Sequence, residues 1–190
     1  MPSNITPNRP ARPTAADLIA ARGKTLPDLI APGLLILFCG INPGLYSAAA
    51  GYHFARPGNR FWVTLHHAGI TDRLLTPAEG RALLQYGCGI TDLVARSTAG
   101  ADELTTDELI NGRRRLAATV KRFAPRCRAI LGIGAYRVAF EQKNAGLGKQ
   151  PESIDTTTVW VLPNPSGLNA HYQPPELVRQ FRLLRDSVVA

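Results

Sequence analysis

Two short turns in the sequence carry amide side chains that could hold a water molecule or the edge of a nucleobase. The first is NPGL at residues 42–45, and the second is NPSGL at residues 164–168. Each asparagine amide can both donate and accept hydrogen bonds, and the proline that follows stiffens the backbone. For either motif alone the alternative is a turn without a functional role, because Asn-Pro dipeptides commonly initiate turns.

Both turns follow segments that are typical of buried strands. Residues 34–39 (LLILFC) precede the first turn and residues 157–162 (TTVWVL) precede the second; residues 129–133 (AILGI) and, more weakly, residues 89–94 have the same character. Runs that are apolar on both faces and end in turn residues indicate parallel strands. Ligands bind at the carboxyl ends of such strands, so we expect the two asparagines to face one cleft.

Helical patterns fill the intervals between these strands. Asn59 is expected to cap a helix that ends at Gly69, and Thr105 with Glu108 forms a capping box for a longer one. That longer helix stops before Pro125 and carries basic residues on its outer face, and a last helix starts at residues 174–175. The alternation of strands and helices predicts one α/β domain with a short, mostly parallel central sheet covered on both faces, a three-layer α/β/α fold.

The charge balance favours a polyanionic partner. The chain of 190 residues contains 22 Lys and Arg against 14 Asp and Glu, a formal net charge of +8. Basic proteins of this size often bind nucleic acid, because contacts to phosphates release counterions; a general solubility charge is the alternative. No apolar run approaches the length of a membrane span. The N-terminus is polar and Pro-rich, without the apolar core of a signal peptide, so we expect a cytoplasmic protein.

Domain boundaries and metal content follow from the same composition. We expect a flexible tail over residues 1–26 and a single domain over residues 27–190. The three cysteines are widely spaced without a C-x-x-C motif, and His66 and His67 are adjacent on a predicted helix, where neighbours point in different directions. We therefore expect no metal and no cofactor.

Taken in order, the motifs are much more specific than either turn alone. They are GINPGLYSAAAGYHFARPGNRFW (residues 40–62), GITDLVAR (89–96), GRRRL (112–116), ILG and AY (130–136) and LPNPSGLN (162–169). This series resembles the mismatch-specific uracil-DNA glycosylase and thymine-DNA glycosylase family, within the uracil-DNA glycosylase superfamily. The likeness covers nearly all of the chain after residue 30.

The resemblance implies the fold of uracil-DNA glycosylases and roles for particular residues. Asn42 matches the asparagine that positions the water attacking C1′ of the deoxyribose, and Phe54 matches the aromatic on which the flipped base stacks. Asn164 would lie near the sugar and base. The wedge that enters the helix where the base has left would be formed by Gly167, Leu168 and Asn169. For Phe54 the alternative is a core aromatic, and for Leu168 it is packing under its own turn.

The implied activity is hydrolysis of the N-glycosidic bond of uracil flipped out of double-stranded DNA, leaving an abasic site. Mispaired thymine and other damaged pyrimidines are further candidate substrates. Backbone N–H groups around Ile41 could meet the negative charge of the departing base. Neither motif contains a lysine nucleophile, so we expect a monofunctional enzyme without backbone lyase activity, acting as a monomer and associated with the nucleoid through DNA.

Two departures from the family pattern and one extra acid bear on specificity. Ile133 stands where some relatives have a lysine, and Ala170 stands where a relative would carry an arginine that holds the complementary strand. Asp92 occupies a position where relatives can carry an amide or a lysine. Its carboxylate could accept a proton from the attacking water or stabilise the cationic sugar; the alternative is a surface, cap or turn residue.

Two other functions compete with the glycosylase hypothesis. A non-catalytic binder of damaged or single-stranded DNA could use the same fold, but it would not need a water-holding amide beside a stacking aromatic. A nucleotide-binding enzyme of doubly wound type is disfavoured, because the glycine motif that starts at Gly132 is broken by Arg137 at its third position.

Overall fold

The computed structural model describes residues 12–189 and has a five-stranded sheet at its centre. The strands are β1 (Ile36–Gly40), β2 (Cys88–Asp92), β3 (Cys127–Leu131), β4 (Gly148–Ile154) and β5 (Thr157–Leu162). Their spatial order is β2-β1-β3-β5-β4, and all pairs are parallel except β4 with β5. Every residue of β1, β2 and β3 is buried, as expected for parallel strands covered on both faces.

Helices cover both faces of the sheet. They are α1 (Ala15–Ala20), α2 (Leu45–Ala50), α3 (Phe61–His67), α4 (Thr106–Phe123), α5 (Ile133–Ala139) and α6 (Pro174–Val189), with 3₁₀ segments at Pro77–Tyr86 and Ala101–Glu103. One core forms where α3 and α6 pack on the sheet around Phe38, Phe61 and Phe181. A second core forms under α4 and α5, around Leu37 and Tyr136. The predicted three-layer α/β/α architecture is confirmed.

Local sequence signals explain where the helices begin and end. The Thr105 side chain accepts a hydrogen bond from the backbone of Glu108, and the Glu108 carboxylate accepts from the backbone N–H of Thr105, so the predicted capping box starts α4. The helix ends at Ala124, a left-handed residue directly before Pro125. The N-cap of α3 is Arg60 and not the predicted Asn59, although the Asn59 side-chain oxygen accepts from the backbone N–H of Phe61, the first residue of the helix, at 2.9 Å.

The sequence did not predict β4. This strand, GKQPESI, lies at the edge of the sheet, buries little of its length and contains Pro151 within a register shift between Lys149 and Ser153. Proline is tolerated at edges and bulges because no ladder hydrogen bond is required there. A polar, irregular edge strand of this kind has no apolar run to identify it.

Residues preceding the predicted domain boundary at residue 27 are attached to the domain. Ala21 is fully buried, its carbonyl accepts from the Ser97 hydroxyl, and Gly23 and Lys24 exchange backbone hydrogen bonds with Ser97. Part of the segment predicted as a flexible tail over residues 1–26, namely residues 15–24, therefore contacts the domain, and residues 1–11 lie outside the described part of the chain. Between residues 12 and 189, no helix combines the length and apolarity needed to cross a membrane.

Candidate active site

A pocket opens at the carboxyl edge of the sheet, where β1, β2 and β5 end. Its lining brings together both Asn-Pro turns and most of the residues singled out from the sequence: Ile41, Asn42, Phe54, Asp92, Asn164 and Leu168. Gly167 and Asn169 belong to the second turn but do not line the pocket. The cleft expected from parallel strand ends is therefore present.

The Asn42 side chain is held in one orientation. Its amide nitrogen donates to the carbonyl oxygen of Arg96 at 3.0 Å and to the hydroxyl oxygen of Thr98 at 2.7 Å. The Arg96 carbonyl can only accept, and the Thr98 hydroxyl donates its own hydrogen to the Gly100 carbonyl. Both contacts therefore require a donor, which fixes the amide nitrogen on this side. Within residues 12–189 no donor binds the amide oxygen, which remains available to accept from a water molecule.

Phe54 forms one wall of the pocket in a strained conformation. Its backbone lies in the left-handed region at φ 55°, which costs a non-glycine residue about 1–2 kcal/mol. The Phe54 ring is partly exposed and stacks on the buried Phe61 ring with centroids 4.1 Å apart. One face of the ring is thus supported by the core, so Phe54 combines core packing with a surface offered to the pocket.

Asp92 is the last residue of β2 and lies under the pocket. Its side chain is only 8% exposed, and Oδ2 lies 3.3 Å from Nδ1 of His53, whose side chain is 5% exposed. Its other oxygen, Oδ1, occupies the space that a Cβ would need on Gly40, beside the Phe54 ring. The carboxylate is therefore a buried group, and the alternative of a surface turn residue is excluded.

Helix α4 holds the backbone around Asp92. The Arg115 guanidinium donates to the carbonyl oxygens of Asp92 and Leu93 at 2.8 and 2.9 Å. Gly112 lets the helix approach closely, because a Cβ there would overlap the Leu93 carbonyl. The GRRRL segment therefore includes residues that fix the end of β2 in place.

The second turn is stabilised by its own side chains. The Asn164 side-chain oxygen accepts from the backbone N–H of Ser166 at 2.9 Å. The Asn169 amide nitrogen donates to the Asn164 carbonyl at 2.9 Å, and its oxygen accepts from the backbone N–H of His171. Leu168, at the tip of this turn, is 75% exposed. It does not pack under the turn, which removes that alternative.

Arg60, which the sequence analysis did not single out, joins the turn to the preceding loop. Its guanidinium donates to the carbonyl oxygens of Tyr172 (2.7 Å), Asn169 (2.9 Å) and Ser166. The backbone N–H of Arg60 donates to the Pro165 carbonyl, and a Cβ on Gly167 would overlap the Gly58 carbonyl. Leu168 is therefore exposed at the tip of a turn whose base is held by hydrogen bonds from the Arg60 guanidinium.

These residues occur in a recognisable sequence family. The model of the uracil DNA glycosylase superfamily matches residues 27–185, most of the chain. The chain belongs to the uracil DNA glycosylase superfamily. Membership in this superfamily supports a DNA glycosylase role in general, and the pocket is its candidate active site.

Solved structures agree with this superfamily fold. The chain is similar to the solution NMR structure of a "putative Uracil DNA glycosylase" from Methanosarcina acetivorans, with 19% sequence identity and a TM-score of 0.54. The likeness covers 86% of this chain and 98% of the archaeal one. At this identity the comparison supports the fold, and the roles of individual residues rest on the geometry described above.

The basic residues of α4 lie at different distances from the pocket. The helix begins on the pocket side of the sheet, where Arg115 donates to the Asp92 carbonyl, and ends near the start of β3, on the opposite edge. Lys121 and Arg122 lie in its last turn, about 20–25 Å along the helix axis from its start. Arg113 pairs with Glu141 at 3.1 Å. Among the residues that line the pocket in the described part of the chain, Arg56 is the arginine, and it is exposed.

Sequence reasoning missed four residues that shape this candidate site: His53, Arg56, Arg60 and Thr98. His53, Arg56 and Arg60 lie within residues 40–62, the segment that carries most of the family resemblance. Their spacing in the sequence does not indicate which residues they contact in the fold. His53 bonds residues that are distant in sequence, Pro27 and Asp92. Such contacts become visible only once the sheet has brought the loops together.

Proposed function

We propose that this protein is a monofunctional mismatch-specific uracil-DNA glycosylase. Its proposed reaction is hydrolysis of the N-glycosidic bond of uracil flipped out of double-stranded DNA, leaving an abasic site, with mispaired thymine and other damaged pyrimidines as further substrates. The observation that carries this proposal is the fixed amide of Asn42, a residue that lines the pocket together with Phe54 and Asp92 and whose side-chain oxygen is bound by no donor among the described residues. The enzyme acts without a cofactor, as a cytoplasmic monomer.

Two loops supply the physical basis of the proposed base flipping. Extruding a base from a duplex costs a few kcal/mol. An exposed apolar side chain at the tip of a rigid turn, as Leu168 is, can fill the gap and offset part of that cost. Stacking of the extruded base on Phe54 contributes about 1–3 kcal/mol more. The support of the Phe54 ring by Phe61 keeps that surface in place before the base arrives.

In the proposed chemical step, a water molecule held by the Asn42 amide oxygen attacks C1′ of the deoxyribose. The C1′–N bond breaks, and its electron pair leaves with the base. The water loses one proton as the new C1′–O bond forms, and the departing base takes up one proton from its surroundings. Backbone N–H groups around Ile41 stabilise the negative charge on the base. Asn164, across the pocket, contributes contacts to the sugar and base.

Asp92 is proposed as a second catalytic group. A neutral amide orients water but hardly deprotonates it. A buried carboxylate lining the same pocket can accept the proton of the water or stabilise the cationic sugar. Poorer leaving groups need this help more than uracil does, so Asp92 would broaden the range of substrates.

The proposed absence of lyase activity follows from the pocket lining. Cleavage of the DNA backbone by a glycosylase requires an amine nucleophile that forms a Schiff base. The lining residues contributed by the described part of the chain include no lysine. The expected product is therefore an intact strand with an abasic site, which breaks only on treatment with alkali.

Preference for a mispaired guanine requires a contact to the strand opposite the flipped base. Ala170 stands where a relative would carry the arginine that holds this strand, and Asn169 and His171 are the polar residues beside it. Both polar atoms of the Asn169 amide are already bonded within the turn. His171 is exposed at the same turn, which favours it as the contact to the opposite strand.

One gel assay tests the proposed function. Duplexes with uracil or thymine opposite each of the four bases, and a single-stranded uracil control, are incubated with the protein and then treated with alkali. We expect cleavage at uracil only after alkali, and strongest cleavage opposite guanine. Binding without cleavage in any substrate would instead identify a non-catalytic binder of damaged or single-stranded DNA.

A further inference from the structure

The pair formed by His53 and Asp92 is buried directly beneath the pocket. Both side chains line it, and the distance between His53 Nδ1 and Asp92 Oδ2 is 3.3 Å. On the other side of the ring, His53 Nε2 lies 3.0 Å from the carbonyl oxygen of Pro27. The backbone of His53 is also fixed, because its carbonyl accepts from the Trp62 indole N–H. The imidazole ring is therefore held between a carboxylate and a carbonyl.

The partners of the ring determine how many protons the pair carries. The Pro27 carbonyl can only accept, so Nε2 bears a hydrogen. A bare lone pair on Nδ1 would then face the lone pairs of the Asp92 carboxylate, which is repulsive at this distance. A second proton between Nδ1 and Oδ2 removes the repulsion. This proton can be assigned to the imidazole, which gives imidazolium and carboxylate, or to the carboxylate, which gives neutral imidazole and carboxylic acid. The two assignments describe the same shared proton.

We propose that His53 is a positioning residue for Asp92, and that the proton they share determines how much negative charge Asp92 presents to the flipped nucleotide. With the proton in place, the pair is neutral and Asp92 is held against Gly40 beside Phe54. Without it, the pair carries one full negative charge in the same position. This inference rests on the proposed catalytic role of Asp92 and adds a pH dependence to it.

The surroundings set the direction of that dependence. Burial alone would lower the pKa of His53, but the hydrogen bond and charge of Asp92, with the Pro27 carbonyl, outweigh it and raise the pKa above its ordinary value. The other groups that face the pair are Asp28, bonded to the Thr91 hydroxyl, the Arg115 guanidinium on the Asp92 carbonyl, and the Cys39 thiol, whose pKa is raised by burial.

Excision that depends on Asp92 should therefore increase as the pH rises through the pKa of His53. Over that range the proton on Nδ1 passes to solvent, while the proton on Nε2 stays bonded to Pro27. The carboxylate becomes a better base and a stronger stabiliser of positive charge on the sugar. Below the midpoint, loss of one proton corresponds to about a tenfold increase in rate per pH unit.

The first test measures the titration midpoint of His53 by NMR and does not depend on catalytic activity. NMR titration of the histidine ring signals is recorded for the wild-type protein and for Asp92→Asn, with the exposed His67 as an internal control. We expect the His53 midpoint to move to lower pH in Asp92→Asn, while the His67 midpoint is unchanged. An unchanged His53 midpoint would overturn the proposal.

The second test measures excision of uracil from duplex DNA under single-turnover conditions from pH 5.5 to 9.5. The wild-type rate should rise with pH, His53→Gln should give a flat profile, and the matched control His67→Gln should follow the wild type. A flat wild-type profile, or a His53→Gln profile parallel to it, contradicts the inference. If the wild type excises no uracil at any pH, the proposed function fails instead, and the NMR titration still decides whether the proton is shared. The NMR comparison also decides the question if His53→Gln does not fold.

Discussion

At the scale of single residues, the pocket combines two polar groups with different abilities. The Asn42 amide can orient a water molecule but cannot carry its proton, whereas the Asp92 carboxylate can do so. Their supports also differ: the amide is held by neutral acceptors, and the carboxylate is held by a histidine. Separate substitutions should therefore reveal two distinct contributions to excision.

Replacement of Asn42 by alanine should slow excision by about 10²- to 10⁴-fold, the scale of a positioned catalytic group. DNA binding should be retained, because the side chain contacts neither the wedge turn nor a basic residue at the pocket mouth. Single-turnover excision and an equilibrium binding assay on the same uracil duplex measure the two effects. A fully active Asn42→Ala variant would remove the residue from the mechanism.

Thr98 should matter because it fixes the Asn42 amide. Thr98→Val keeps the shape of the side chain but loses the oxygen that accepts from the amide nitrogen. One such hydrogen bond is worth about 1 kcal/mol, so we expect excision to fall by about fivefold to tenfold with DNA binding unchanged. Thr98→Ser keeps the hydroxyl and should restore the rate. A loss in Thr98→Ser with a wild-type rate in Thr98→Val would indicate that the methyl group, and not the hydroxyl, is what the site needs.

Asp92→Asn tests the second catalytic group. Asn42→Ala should keep measurable uracil excision, and addition of Asp92→Asn should abolish it. The single Asp92→Asn variant should excise more slowly without much loss of DNA binding or thermal stability, since asparagine preserves the shape. Rates are compared on uracil and thymine duplexes under single-turnover conditions. Wild-type rates on both substrates would leave Asp92 as a structural residue.

At the scale of elements, the site is a set of loops held at the ends of rigid strands. The turn that carries Leu168 is held at its base by the Arg60 guanidinium, and the Asp92 backbone is held by Arg115 on α4. Both arginines donate to backbone carbonyls of the protein. They therefore hold the loops around the pocket in place, whereas Arg56 is exposed at the pocket.

Leu168→Ala should slow excision from duplex DNA more than from single-stranded DNA, because only the duplex leaves a gap to fill. Arg60→Lys should give the same pattern in weaker form, since a lysine cannot reach three carbonyls at once with a planar fork of donors. Both variants are assayed on matched duplex and single-stranded uracil substrates. Equal losses on the two substrates would show that Leu168 supports the pocket and does not act as a wedge.

At the scale of the whole molecule, the predictable part of the fold is the part with a strong local signal. The apolar runs ending in Asn-Pro predicted β1, β5 and the cleft between them, and Thr105 predicted the start of α4. The edge strand β4 carries no such signal. Within the site, Asn42 was singled out by its turn at a strand end and received its role through the resemblance, whereas Phe54 was identified through the resemblance alone. His53 was not, because its significance depends on Pro27 and Asp92, which only the folded chain brings to it.

The net charge of +8 is a property of the whole molecule. Its contribution to DNA binding depends on where the basic residues lie. Contacts between arginine or lysine and phosphate release counterions, so binding to undamaged duplex should weaken steeply as the salt concentration rises. Arg56, at the mouth of the pocket, should contribute about one contact to that dependence. Lys121 and Arg122, at the opposite edge of the sheet, should contribute none.

Fluorescence anisotropy with an undamaged duplex, across a series of salt concentrations, compares Arg56→Ala with the charge-matched control Arg122→Ala. Both variants lose one positive charge, so a general effect of net charge would weaken binding equally in the two. We expect Arg56→Ala to reduce the slope of log K against log salt by about one, and Arg122→Ala to leave the slope unchanged. A flat salt dependence in the wild type would mean that the positive charge does not serve DNA binding. Equal slopes in the two variants would mean that DNA contacts this protein elsewhere than at the mouth of the pocket.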